Sequence, residues 1–554
     1  MENRRLKLST SIQTFEIIRT EERIYVDKTK YLVEIADNIK VCFLARPRRF
    51  GKSLTVSTFE ALFSGRKDLF KGLYAEEFLN RPEFTPSPVI KLDMSEIATS
   101  HGIDGIRESL VTQIQYIARQ HDVSLPDSKL PSILFNYLIK NTYYRHNQKV
   151  VILVDEYDAP YTEFVNDTDM ADKVRAELRD CYKQLKANDS CIRFIFLTGI
   201  SKFARFGVFS TLNNPTDISS MPEYAGICGL TEDEIVQYFP DYLDDTAKKM
   251  DISTDELLEK MRYYYNGFCF DRELTMRLYN SFSTLQFFTH KNFLNFWVQT
   301  GRPKVLSDYM KYRHLTVEQF RNFSIPEDFA ENPGDVDTTT PEGFLYQCGY
   351  LTLRDRTENS FLLDYPNTEV LNSMSALVVE NILRDNDEDF SLCRAELLDG
   401  LREANYRKVV SAINRLLAGI PYVDFSKNAK KVVSYHYSGQ ELDADEIYKK
   451  QREWIYRSNI ISFFRGCGIK VIAELHTKMG RSDTVIFYGS NTWIIELKVA
   501  YKDKGHDPAK RAEEAFRQIE KKNYAAPFPN AICAGMAIDD EKRQITEIRV
   551  KSEE

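Results

Sequence analysis

No stretch of this 554-residue chain reaches the ~18 uninterrupted apolar residues that a helical membrane span requires, so no membrane partner is expected. Met1-Glu-Asn-Arg-Arg5 is followed by no apolar segment of the kind a secretory signal carries, which predicts a cytoplasmic protein. Cysteine is scarce: nine residues, odd in number and never in C-x-x-C spacing, which argues against a disulfide framework and for reduced core thiols. The eight histidines are equally dispersed and form no metal motif, His476 included. Positive charge is not in excess either. A net charge of −8 argues against wholesale wrapping of nucleic acid, although local patches suffice for phosphate contacts. Internal repeats and low-complexity tracts are absent.

What remains is ordinary globular composition, 43% hydrophobic and 28% charged, in a chain long enough for roughly three to four domains. Two constellations carry chemistry. Near the C-terminal end, Asp483-Thr-Val-Ile-Phe-Tyr488 reads as a strand, Gly489-Ser-Asn-Thr492 as a turn, and Trp493-Ile-Ile-Glu-Leu-Lys-Val499 as the returning strand. Pairing Tyr488 with Trp493 puts Asp483 opposite Lys498. The period-2 alternation then places Glu496 and Lys498 on one face, with Glu496 diagonal to Asp483. Asp483 and Glu496 are thereby candidate Mg²⁺ ligands, Lys498 a candidate to orient water or steady phosphorane charge, and Glu474 a further ligand from a neighbouring element. Taken alone, D-x12-E-x-K is equally compatible with an exposed hairpin bearing an ordinary Glu–Lys pair.

Near the other end, Val41-Cys-Phe-Leu-Ala45 is an apolar strand that runs through Arg46-Pro-Arg-Arg49-Phe50-Gly51-Lys52-Ser53 into the helical Leu54-Thr-Val-Ser. This is a phosphate-binding loop arrangement. Lys52 would reach the β/γ-phosphates, Ser53 would meet Mg²⁺, and the backbone from Arg49 through Leu54 would cradle the nucleotide. Arg46 stands where the loop's first glycine is expected. Val150-Val-Ile-Leu-Val-Asp155-Glu156 adds an apolar strand ending in acids, Asp155 for Mg²⁺ and Glu156 to polarise the attacking water. A third strand, Phe194-Ile-Phe-Leu-Thr198, offers Thr198 as a sensor of the γ-phosphate. Polar C-terminal ends on three apolar strands fit the rule that open α/β sheets bind ligands outside those ends.

These blocks carry a resemblance. Glu474, Asp483, Glu496-Leu-Lys498 and a following helix with Gln518 and Tyr524 resemble the PD-(D/E)XK nuclease superfamily, in the branch fused behind an AAA-ATPase-like domain. Ser11-Ile-Gln-Thr-Phe-Glu16, Tyr25-Val-Asp27-Lys28-Thr29, Arg46 to Ser53, Leu69-Phe-Lys-Gly-Leu73, Asp155-Glu-Tyr-Asp158, Thr198-Gly-Ile-Ser-Lys202 and Asn213-Asn214 are similar to that ATPase family, in which Arg46 is normal. The resemblance implies ATP and Mg²⁺ as cofactors and places Tyr25-Val-Asp-Lys-Thr29 over the nucleotide. It also makes Gln518 a candidate for positioning a water or a phosphate. Arg46, Arg48, Arg49 and Arg205 are arginine-finger candidates without discrimination among them, and a solvent-facing or sheet-supporting role is the commoner reading for any one of them.

The expected fold is α/β and multidomain: a P-loop, AAA-type core over residues 1–230, a helical and winged-helix-like lid over 231–366, a helical connector over 367–435, and a nuclease-like α/β domain over 436–554. Thr231-Glu-Asp-Glu234 predicts a capped helix opening the lid. Lys498, Lys502, Lys504, Lys510, Arg511, Arg517, Lys521 and Lys522 concentrate positive charge near the nuclease motif, balanced by Glu513, Glu514 and Glu520. The leading expectation is an ATP-controlled, Mg²⁺-dependent nuclease acting on nucleic acid, DNA before RNA, with self-association left open. The competing expectations are an ATP-switched binding or signalling module with an idle nuclease fold, and a motor.

Overall fold

The computed structural model describes residues 5–164, 167–200, 215–299, 316–327, 340–384, 387–420, 444–477 and 480–551. Side chains are not described at 298–299, 444–451, 474–477 and 480–483. The chain divides into two compact units, residues 1–301 with 322–369, and residues 302–321 with 370–554.

The first unit is built on a parallel sheet. Its strands are β1 (Val41–Ala45), β2 (Val89–Asp93), β3 (Val150–Asp155), β4 (Ile192–Gly199) and the short β5 (Thr216–Asp217), in the order β2-β3-β4-β1-β5. Parallel strands covered by helices read as continuous apolar runs, and β3 is buried at every position. Between β1 and β3 the chain adds, among other elements, the edge strand β2 and the helices Gly102–Gln120 and Pro131–His146. Beyond the sheet, the helices Glu232–Tyr238, Pro240–Met250, Thr254–Tyr265 and Ser281–His290 enclose an aromatic core that includes Phe239, Tyr265, Phe287 and Phe288. The first of them opens on the predicted capping box: the Thr231 hydroxyl accepts from the Glu234 N–H, and the Glu234 carboxylate accepts from the Thr231 N–H. The helix Pro341–Cys348 then leads to a three-stranded sheet of β6 (Phe323–Pro326), β7 (Thr352–Arg356) and β8 (Ser360–Asp364). Phe344, Tyr350 and Phe361 are buried there, so these aromatics serve as core.

The second unit carries a mixed sheet, β9 (Lys470–Thr477), β10 (Gly480–Tyr488), β11 (Asn491–Ala500), β12 (Ile532–Asp539) and β13 (Gln544–Lys551), in the order β13-β12-β11-β10-β9. In this sheet β11 and β12 run parallel, and the helix Pro508–Lys521 makes the crossover between them. Alternation along β11 sorts its residues. Trp493, Ile495, Leu497 and Val499 enter a core shared with the helices Phe390–Arg402, Tyr406–Gly419 and Ala444–Gly466. Ile494 faces the other way and packs with Ile519 and Tyr524 of the crossover segment. The helices expected as a connector thus bury Leu397, Leu401, Ile413 and Leu416 in the same core as Trp493.

Candidate functional site

In the first unit, the helix Lys52–Phe63 starts directly on Gly51, whose φ of +100° is the left-handed geometry a side chain would strain. Arg49 also takes a positive φ, +69°, and its guanidinium lies 4.0 Å from the Phe282 ring. Phe50 is buried edge-on against Phe268 and Phe270. This turn directs Lys52 inward, 4% exposed, where Nζ donates to the Pro47 carbonyl at 3.2 Å. The Ser53 hydroxyl lies near enough to the Asp155 carboxylate to favour its ionised form, which brings together the two residues expected to meet Mg²⁺. Burial raises the carboxyl pKa of Asp155 and of Glu156, and Lys52 pulls both back down.

Arg46 is 1% exposed, donates to the Ser219 carbonyl at 2.6 Å and the Ala45 carbonyl at 3.0 Å, and stacks 4.5 Å from the Phe270 ring. A side chain held this way braces the loop from behind, which removes Arg46 from the arginine-finger candidates. Arg205, Ser201, Lys202, Asn213 and Asn214 lie outside the described residues. Thr198 sits at the expected strand end, but it is fully buried and its hydroxyl donates to the Leu44 carbonyl at 2.8 Å. The sensor expected there is therefore engaged within the sheet.

A cleft opens beside the loop, lined by Phe50, Gly51, Leu54 and Thr55, by Tyr25, Val26 and Lys28, and by Ile227 to Leu230. Tyr25-Val-Asp-Lys-Thr29 accordingly lies against the loop.

In the second unit, the hairpin forms with a shifted register. Tyr488 pairs with Asn491 and Ile486 with Trp493, around a two-residue turn at Gly489 (φ +60°) and Ser490. The expected four-residue turn fails because Asn491 is held as strand. Its side-chain amide donates to the Leu401 and Arg402 carbonyls at 3.0 and 2.9 Å, closing the end of a helix. A shift of two residues leaves every side chain on its face but changes the partner. One further step of the β10–β11 ladder beyond Thr484↔Ile495 sets Asp483 across from Glu496, not Lys498. On the other side, Ser482↔Leu475 and Thr484↔Ala473 bracket Asp483 with Glu474. Glu474, Asp483 and Glu496 therefore occupy one row across β9, β10 and β11, at register positions on the same face of the sheet. The side chains of the first two lie outside those described.

Glu496 is 1% exposed. Lys498 Nζ lies 3.5 Å from its Oε1, and the Gln518 side-chain amide donates to the same oxygen from the crossover helix. An oxygen-only donor row that includes a buried carboxylate fits a hard divalent cation.

The next position in the row explains how Gln518 arrives. Glu496 pairs with Gly535 on β12, and a Cβ at Gly535 would lie 2.4 Å from the Phe516 nitrogen and 2.6 Å from the Ala512 carbonyl oxygen. A glycine inside a strand pattern signals such a close backbone approach, and this one lies outside the D-x12-E-x-K motif. Gly535→Ala is expected to push the helix outward and destabilise the unit by about 2 kcal/mol. Nucleic-acid cleavage should fall with it because Gln518 loses Glu496. Thermal unfolding and a cleavage assay on the one variant check both.

Much of the local positive charge is already paired: Lys502 with Glu541 at 2.6 Å, Arg511 with Glu514 at 2.6 Å and Arg517 with Glu513 at 2.9 Å. No helix among the described residues is long and apolar enough to cross a membrane.

Comparisons with known proteins agree with the motifs. A relative from Azotobacter chroococcum mcd 1, described as an uncharacterized protein in the vnfD 5'-region, is 29% identical over 533 residues, 95% of this chain and 94% of its own. Residues 9–209 match the family model described as a predicted AAA-ATPase, and residues 451–548 match that of the PD-(D/E)XK nuclease superfamily, so the chain carries an AAA-ATPase-like domain ahead of a C-terminal domain of that nuclease superfamily.

Proposed function

We propose that the chain is an ATP-binding ATPase whose nucleotide state controls a Mg²⁺-dependent nuclease, with DNA as the favoured substrate. The observation that carries this reading is the acid row Glu474–Asp483–Glu496, joined by Lys498 and Gln518 at the buried Glu496. A divalent cation held by Asp483 and Glu496 would supply the charge that polarises a phosphodiester. The chain's own contribution is to hold Lys498 beside the reacting phosphate and Gln518 against the metal-binding carboxylate. In the first unit, Lys52 and Ser53 would bind the triphosphate and its Mg²⁺ with Asp155, and Glu156 would orient water for ATP hydrolysis. Control by ATP requires nucleotide to favour one conformation over another. The presence of both sites on one chain supports that step.

The test incubates purified protein with labelled single- and double-stranded DNA and RNA, with Mg²⁺, with and without ATP. Lys498→Ala is expected to lower cleavage at least about 100-fold, while Lys52→Ala should weaken ATP binding by about 100-fold and remove ATP's influence on cleavage. Cleavage that survives Lys498→Ala sinks the nuclease site. Cleavage indifferent to ATP and to Lys52→Ala sinks the control. Binding of nucleic acid without any cleavage favours the idle nuclease fold.

A further inference from the structure

Among the described residues, Lys28 is the only charged one lining the cleft beside the P-loop. Most of the lining is apolar, including Ile18, Ile24, Leu54, Leu230 and Leu285, and a lysine in such a wall is costly unless a counter-charge pairs with it. The backbone around it is fixed. Asp27 Oδ1 accepts from the Thr29 N–H at 2.9 Å and the Thr29 hydroxyl at 2.7 Å, while Oδ2 accepts from the Tyr74 N–H at 2.8 Å. Asp27 therefore fixes the turn that aims Lys28.

Lys28 Nζ donates to Glu234 Oε1 at 2.5 Å, with the two side chains 12% and 20% exposed. Glu234 has a second task, since its other oxygen accepts the Thr231 N–H of the capping box at 2.8 Å. Departure of Lys28 would leave that carboxylate still partnered. The pair also ties the segment at Lys28 to the helix Glu232–Tyr238, so a ligand that takes the ammonium loosens that tie. The triphosphate of a nucleotide on Gly51–Ser53 would run toward Asp155, which leaves its base and ribose on the side of Leu54 and Thr55, where the cleft lies.

We propose that Lys28 recognises the base of the bound nucleotide: its ammonium, paired with Glu234 in this structure, donates to a purine ring acceptor and so loosens its tie to the helix Glu232–Tyr238. This rests on the nucleotide-binding reading of the loop. The test measures binding of ATP and of inorganic tripolyphosphate, each with Mg²⁺, by calorimetry on the full chain. Lys28→Met is expected to weaken ATP by about tenfold or more and to leave tripolyphosphate within about twofold, because only the base contact is lost. Glu234→Gln frees the ammonium and should leave ATP affinity unchanged or raise it. Equal loss of both ligands in Lys28→Met overturns base recognition. Equal loss of ATP in Lys28→Met and Glu234→Gln shows a structural strut, and overturns it too. Recovery of ATP affinity in the Lys28→Met/Glu234→Gln double variant would trace the loss to an orphaned carboxylate and likewise overturn base recognition. Lys52→Ala distinguishes failure of base recognition from failure of the nucleotide site: it should weaken both ligands, and a wild-type protein that binds neither removes the nucleotide site itself.

Discussion

Glu496→Gln is expected to lower nucleic-acid cleavage by a factor on the order of 10³, about 4 kcal/mol of transition-state stabilisation, while leaving the fold intact. The substitution conserves volume and one acceptor oxygen at a position 1% exposed, so packing against the crossover helix survives. It removes the charge through which Glu496 would share a cation with Asp483. Two further readouts separate loss of the metal site from a general defect. Mg²⁺ should raise the unfolding temperature of the wild-type protein, because a ligand that binds only the folded state stabilises it, and that increment should vanish in the variant. Without Mg²⁺ the variant should unfold close to wild type. Lys498→Met gives the opposite pattern in the metal-free protein, because it leaves the buried carboxylate without the ammonium 3.5 Å away. A Glu496→Gln protein that cleaves at the wild-type rate would remove Glu496 from the site.

Sequence pattern carried the strands well where burial is complete. β3 is an unbroken apolar run with acids at its end, and it folds as a fully buried strand that delivers Asp155 to Ser53. Register was harder, because it depends on where the turn begins. Asn491 has the composition of a turn residue but is held in β11 by its amide bonds to Leu401 and Arg402, some ninety residues away in sequence. The resulting two-residue shift preserved the face assignments of Glu496 and Lys498, so the site remained recognisable although its pairing differs from the expected one. Arg46 was legible as a departure from the loop pattern, and a solvent-facing or sheet-supporting role was the commoner reading for it, but its acceptor at Ser219 lies on a segment with no sequence signal linking the two. Gly535 had such a signal, a glycine in an apolar strand, and it marks the close approach that sets Gln518 on Glu496.

Glu369 illustrates a charge that sequence alone leaves unremarked. It is fully buried in the first unit. Its Oε1 accepts from the Trp297 N–H at 2.9 Å and the Ser283 hydroxyl at 3.1 Å, and no cation partners it among the described residues. Burial raises its pKa to about 7 against these hydrogen bonds, which favour the ionised form. The nearby Tyr265 phenol donates to the Leu294 carbonyl and stays neutral, its own pKa raised chiefly by burial. Because the folded state holds the proton more tightly than the unfolded chain, the stability contributed by Glu369 is complete below pH 4.5 and is lost as pH rises through 7. Glu369→Gln does not titrate. Relative to wild type, the variant should therefore gain stability between pH 5 and 8 by up to about 3 kcal/mol, with most of the change before pH 7. Denaturant unfolding of both proteins across that interval measures the difference directly, followed by a probe in the first unit such as Trp297 fluorescence. A difference that stays flat with pH would mean that Glu369 is already ionised in the folded protein near pH 5, held there by the two hydrogen bonds to Oε1.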